Sequence, residues 1–291
     1  MNWATAVGIG TLAVWSSFAL VSAFASAFPP LQMVAMCFSI AGFLGWAFYT
    51  LRGEYPRLRG IPAWGWVHGV GGLLVYHVLL LTAFSSAPRT HVNLINYTWP
   101  LFLVLASTVG RGRGGSALAI AGALIGFLGV AILIYSDGGR EGFSVSSFIG
   151  YAAAFFAAVC WAAYSYFGGR FSDVKTSALP VFFLATAAIS FALHILTEVT
   201  VLDAPTSAWA AVVFLALGPL GLSFLLWDIA IKRGDVRLLG VLAYLTPVAS
   251  TVLLVAAGRA NPSPSLVLAA CLVFLGGLVG LRSSFNARET S

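Results

Sequence analysis

Charged side chains in this chain fall in short clusters separated by runs of about 20 apolar residues, the length a helix needs to cross the hydrocarbon of a bilayer. Of 291 residues, 8 % are charged and 60 % apolar, against roughly 25 % and 45 to 50 % in an ordinary soluble domain. A soluble fold of this size is excluded. Ten spanning helices would take roughly 200 residues and leave about 90 for loops and termini, so no room remains for an extramembrane domain. Such runs also exclude an outer-membrane barrel, whose strands alternate over about 10 residues. The predicted class is an all-α integral membrane protein.

Breaking the runs at their Gly, Pro and charged clusters predicts ten transmembrane helices near 4–24, 29–51, 64–84, 92–109, 116–136, 147–170, 177–198, 207–231, 236–257 and 264–282. The first resembles a signal peptide ending at Ala25-Ser26-Ala27, but it lacks a basic leading region and its apolar stretch is too long. Placing both termini in the cytoplasm puts twelve basic residues inside, from Arg52 and Arg57 to Arg282 and Arg288, and only Arg89, Arg140 and Arg259 outside. That asymmetry predicts an N-in, C-in topology. It also explains the formal net charge of +6 without invoking nucleic acid. Cys37, Cys160 and Cys271 are isolated inside apolar runs and read as inert packing thiols.

An offset of 147 aligns Gly71 with Gly218, Tyr97 with Tyr244 and Pro100 with Pro247. Two halves of five spans, 1–140 and 141–291, must insert in opposite senses. The expectation is therefore a pair of inverted five-helix repeats, with a substrate site between the halves. Pro100 and Pro247 interrupt spans four and nine. Gly71 and Gly218 place breakers at matched points of spans three and eight. Tolerated kinks are the plain reading of such residues. Their pairing at equivalent positions points instead to kinks or gating elements beside a binding region.

The deep aromatic and polar residues are Trp15, Tyr76, His77, Asn96, Tyr97, Trp99, Trp161, Tyr164 and Tyr244. Taken singly, each aromatic reads as core packing; as a set they read as a substrate-binding cavity lining. Asn93, Asn96, Tyr97 and Pro100 share one helical face, and a face with two carboxamides should turn away from lipid. His77 is the ionisable group nearest the midplane, whereas His68 and His194 lie near the interfaces. Asp228 and Lys232 are spaced to form an ion pair at the inner end of span eight. Gly122, Gly126 and Gly129, with Gly276 and Gly280, allow close helix approach, either within the chain or across a dimer.

HExxH, GxSxG and P-loop signatures are absent from the sequence, so neither an enzyme nor a resident metal or cofactor is expected. The ten-span pattern, Trp15-Ser16, Tyr97-x-x-Pro100 and the Gly122 to Gly129 run resemble the drug/metabolite transporter superfamily, EamA family. Tyr76-His77, Asn96-Tyr97-x-Trp99-Pro100 and Trp161 look most like its YddG-type exporters of aromatic amino acids. One departure is the absence of Glu from 110–115 and 259–265, loops where many EamA members carry one.

The resemblance implies a multi-pass inner-membrane exporter of aromatic amino acids and related metabolites, working by alternating access. The residues add that no buried cation or carboxylate lies near the midplane, which favours a neutral or zwitterionic substrate and a facilitator. Its partners would be that small molecule and the lipid bilayer, with the protein a monomer unless a glycine face pairs two copies. The alternatives are an exporter of other specificity, a membrane receptor or an intramembrane enzyme.

Overall fold

The structure, a computed structural model, describes residues 2–54, 58, 61–108, 113–141, 144–168, 174–234, 239, 242–243 and 245–289, and every regular element among them is helical. Five of these helices are long and apolar enough to cross a membrane, or six when the bent pair α1 (Trp3–Ser16) and α2 (Phe18–Phe24) counts as one span. The five are α3 (Pro30–Leu51), the run 63–86, α9 (Val145–Gly168), the run 176–197 and the run 206–233. The other predicted spans overlap α6 (Arg89–Asn96) plus α7 (Trp99–Thr108), α8 (Arg113–Glu141), α13 (Thr246–Ala256), which covers the second half of the ninth, and α14 (Pro264–Glu289), and these do not meet the same test of length and hydropathy among the described residues.

Local chemistry sets many of the helix ends. Asn2 caps α1 by accepting the Thr5 N–H at 2.8 Å, the usual role of Asn before a first turn. Pro30 and Pro264 open their helices, where the missing N–H costs nothing. Past α3, Gly53 takes φ 71°; Glu54 N–H reaches the Tyr49 carbonyl at 2.9 Å and Gly53 N–H the Thr50 carbonyl at 3.0 Å. The same pair of bonds follows α13, with Gly258 at φ 65°, Arg259 to Leu254 at 2.9 Å and Gly258 to Val255 at 3.0 Å. Both are Schellman endings, in which glycine supplies the left-handed residue.

The 40° bend between α1 and α2 has no proline behind it. Ser17 donates both its N–H and its hydroxyl to the Val14 carbonyl, at 3.1 and 2.7 Å, and Ser16 Oγ bonds the Leu12 carbonyl at 3.0 Å. Two adjacent serines bonding back to the preceding turn disturb the ladder there.

Packing separates the chain into two compact units. Unit 1 comprises Met1–Val78 and Phe167–Asp235, and unit 2 comprises Leu79–Tyr166 and Val236–Ser291. Each takes helices from both sequence halves, so this partition differs from the repeat predicted at 1–140 and 141–291.

Within unit 1, α3 packs along α10 (Leu179–Thr197). The end of α10 also holds the start of α3: Glu198 accepts the Leu31 and Gln32 N–H groups at 3.0 and 3.1 Å. Buried His194 bridges Glu198 and Thr200 at 2.8 and 2.9 Å. A carboxylate at a helix N-terminus satisfies donors that lack intrahelical partners and complements the helix dipole.

Within unit 2, α8 and α14 form the dominant pair. A Cβ on Gly276 would collide with the Gly122 carbonyl and stand 2.7 Å from the Gly126 nitrogen; one on Gly129 would stand 2.9 Å from the Ala269 carbonyl. The glycine motif is thus consumed inside the chain as a backbone-to-backbone seam.

Candidate functional site

Unit 1 carries Trp15, Tyr76, His77, Gly71 and Gly218. Both predicted glycine breakers border π-helical turns: Val67–Gly71 lies between α4 (Ala63–Trp66) and α5 (Gly72–Ser86), and Gly218–Leu222 between α11 (Thr206–Leu217) and α12 (Ser223–Arg233). Such turns widen the helix and change which carbonyls the backbone satisfies. A neighbouring side chain serves each one. Trp15 Nε1–H donates to the Pro219 carbonyl at 3.1 Å, and the Thr186 hydroxyl to the Val70 carbonyl at 3.5 Å. Trp15 also lies against Trp227, with ring centroids 5.0 Å apart.

His77 is 1 % exposed and enclosed by aromatic rings. Its centroid lies 4.9 Å from Phe38, 4.7 Å from Tyr76 and 5.3 Å from Phe224. Nδ1 lies 2.8 Å from the Leu73 carbonyl. A carbonyl only accepts, so a proton sits on Nδ1 and the Leu73 bond leaves Nε2 unused. At the far end of α12, Lys232 bonds the Asp228 carboxylate and the Val174 carbonyl, both at 2.7 Å, and the Thr176 hydroxyl bonds the same carboxylate. The predicted ion pair is formed, and it ties down the segment leading into α10.

Unit 2 holds Asn96, Tyr97, Trp99, Pro100, Trp161, Tyr164 and Pro247. Tyr244 lies outside the described residues. Span four breaks at Tyr97 and Thr98, between α6 and α7, and Pro100 is the second residue of α7. Pro247 is likewise the second residue of α13. The turns entering both helices match: Thr98 N–H reaches the Ile95 carbonyl and Leu245 N–H the Leu242 carbonyl, each at 3.0 Å. Proline has no N–H for the residue four before it, so each ladder tightens locally and restarts.

On the face predicted to avoid lipid, Asn93, Asn96 and Tyr97 are all buried. Asn93 Nδ2 donates to Ser250 Oγ on α13 at 3.0 Å, which joins the two interrupted spans. Trp99 and Trp161, from different sequence halves, meet edge to face with centroids 6.3 Å apart. Tyr164 stacks on Trp161 at 5.1 Å and 14°. Offset-stacked and edge-on arrangements are those aromatic quadrupoles favour.

Sequence reasoning missed Ser250, Thr186 and the bond from His91 Nδ1 to the Tyr151 hydroxyl at 2.8 Å. The available signal for Ser250 was its helical spacing of i+4 from Thr246. For the other two it was only polarity inside an apolar run.

The model of the EamA-like transporter family matches residues 148–281. The aromatic amino acid exporter YddG of Ancylobacter novellus is 43 % identical over 274 residues, covering 94 % of this chain and 95 % of that protein. The chain belongs to the EamA-like transporter family. It is a multi-pass membrane protein, as its apolar helices require. The aromatic amino acid exporter YddG of Escherichia coli K12 is 26 % identical, over 86 % of this chain and 87 % of that protein. A solved structure described as a crystal structure of protein superposes with a TM-score of 0.77 at 41 % identity, covering 99 % of this chain and 98 % of the other.

Proposed function

We propose that this protein exports aromatic amino acids and related small neutral or zwitterionic metabolites by alternating access, as a facilitator driven by the substrate's own gradient. The observation that carries this reading is the likeness along nearly the whole chain to a protein named as an aromatic amino acid exporter. A probable terminal-alkyne amino-acid exporter of Streptantibioticus cattleyicolor, 27 % identical over 96 % of this chain and 97 % of its own, extends the likeness to amino acids with other apolar side chains.

In this reading the Trp99, Trp161 and Tyr164 rings offer faces and edges on which an aromatic side chain stacks. Asn96, Tyr97 and Tyr244 add polar groups, and Tyr76 and His77 contribute an aromatic wall. The interruptions at Pro100 and Pro247, and the π turns beside Gly71 and Gly218, act as the flexible points of matched spans in two inverted repeats, 1–140 and 141–291. The basic residues orient both termini to the cytoplasm, and the working unit is a monomer.

The facilitator mechanism follows from the acids. Among the described residues of the spans, Asp228 lies at a helix end and is neutralised by Lys232, so no carboxylate remains at mid-depth to carry a coupling proton or cation. Efflux of radiolabelled tryptophan and phenylalanine from proteoliposomes tests the whole reading. Saturable efflux, with lysine and glutamate excluded, is expected; no flux above protein-free vesicles would remove it.

A further inference from the structure

Unit 1 contains a recess of about 840 Å³ walled by α3, α10 and α11. Its lining includes Ser39, Phe43, Ala188, Phe191, Thr206 and Trp209. None of the machinery assigned above enters it. Among the described residues the groove is open: Phe43 is 61 % exposed and Phe191 59 %. All three walls belong to helices able to cross a membrane, so the medium beside the groove is hydrocarbon.

The groove has a polar end. The start of α3, the end of α10 and the start of α11 converge there, joined by Glu198 on the α3 N-terminus and by Gln32, which exchanges two bonds with the Val201 backbone at 2.7 and 2.9 Å. From Pro30 to Phe43 is thirteen residues, about 20 Å of helix, so the apolar walls descend through about one leaflet of a core roughly 30 Å thick. The chain at this end, residues 25–29 and 198–205, contains Glu198 and exposed Asp203 but no Lys or Arg.

We propose that this groove seats one acyl chain of a membrane lipid whose head group carries an ammonium, of the phosphatidylethanolamine kind, held at the acidic rim. Lipid tails are as apolar as leucine, so burial alone gives little preference between lipids. Selection therefore comes from groove shape and from the rim, where the exposed Asp203 carboxylate attracts an ammonium and repels an anionic head group, Glu198 being engaged by the Leu31 and Gln32 N–H groups and by His194.

The test uses the full chain in phosphatidylcholine bilayers containing brominated-chain phosphatidylethanolamine or brominated-chain phosphatidylglycerol at equal mole fraction. The Trp209 signal is isolated as the difference between wild type and Trp209→Phe. Quenching of that component is expected to be several-fold stronger with the ethanolamine lipid. Ala188→Phe and Ala210→Leu, at exposed groove positions that leave the core intact, should abolish the preference, and Asp203→Asn should weaken it. Equal quenching by the two lipids, or an unchanged preference in both filled-groove variants, overturns the proposal. So does a cross-linked dimer in which Trp209 is shielded from both lipids, which would make a second copy the occupant.

Discussion

The indole N–H of Trp15 is bonded to the carbonyl of Pro219 at 3.1 Å, a contact between the first predicted span and the π turn of the eighth. Trp15→Phe keeps an aromatic ring against Trp227 but removes the donor. Membrane hydrogen bonds average about 0.6 kcal/mol, so the melting temperature should fall only slightly. If the π turn is a flexible point of the cycle, transport should change more than stability does. Paired melting and efflux measurements on the same preparation check this.

Trp161→Ala removes a ring that touches both Trp99 and Tyr164. An aromatic pair is worth ~0.5 to 1.5 kcal/mol beyond area burial, which corresponds to roughly a two- to twelvefold rise in KM for an aromatic substrate. Trp161→Phe should recover most of it. Competition assays with tryptophan, phenylalanine and leucine read the effect, and an unchanged order of preference in Trp161→Ala would count against a stacking role.

Pro100→Ala and Pro247→Ala return an N–H to ladders that now restart at α7 and α13. Each variant should be about as stable as wild type, because both prolines stand in the first turn of their helices, where a missing N–H costs little. Exchange flux should nevertheless fall, with the double variant slowest. Lost stability at normal flux would reduce both residues to structural kinks.

His77→Gln tests coupling. In wild type an imposed pH gradient should not drive substrate uphill, because the proposed facilitator has no carboxylate at mid-depth to carry a coupling proton and the His77 ring is enclosed by Phe38, Tyr76 and Phe224. The glutamine variant should alter affinity without creating or abolishing gradient dependence. Accumulation driven by the gradient in wild type and lost in His77→Gln would make this residue the coupling site.

Gly276→Leu places a side chain where Gly122 and Gly126 already touch the α14 backbone. Overpacking costs ~1 to 3 kcal/mol, so a lower melting temperature is expected. The cost should be independent of protein concentration, since the seam lies within one chain.

Pro100 and Pro247 were legible in the sequence because proline's missing N–H acts wherever it stands in a helix, and the structure interrupts the ladder just before each. The Gly71 and Gly218 breakers were legible as positions, but not as π turns, because the extra backbone width depends on carbonyl partners such as Trp15 and Thr186 that arrive from other helices. The bend at Ser17 escaped notice because serine disturbs a helix only when its hydroxyl bonds back, and nothing local dictates that rotamer. Glu198 illustrates the same limit: its position after span seven is plain, while its role on the α3 N-terminus depends on a contact across a sequence separation of 167. Spacing placed Trp99 and Trp161 at matched depth, but their edge-to-face meeting required the tertiary structure.

The division of the chain into two interleaved bodies bears on how it is made. Neither body consists of one continuous stretch, because each needs helices from both early and late translation. While α8 waits for α14, the backbone of Gly122 and Gly129 that meets Gly276 and Ala269 is without that partner, whereas Gly126 already faces Leu101 of α7. A nascent chain halted after residue 235 would therefore lack the closing helices of unit 2. Expression of 1–140 and 141–291 as separate polypeptides would divide both bodies instead of delivering one from each piece. Closure of unit 2 is thus a late event of synthesis, because α14 completes contacts with α8 that the earlier helices cannot make among themselves.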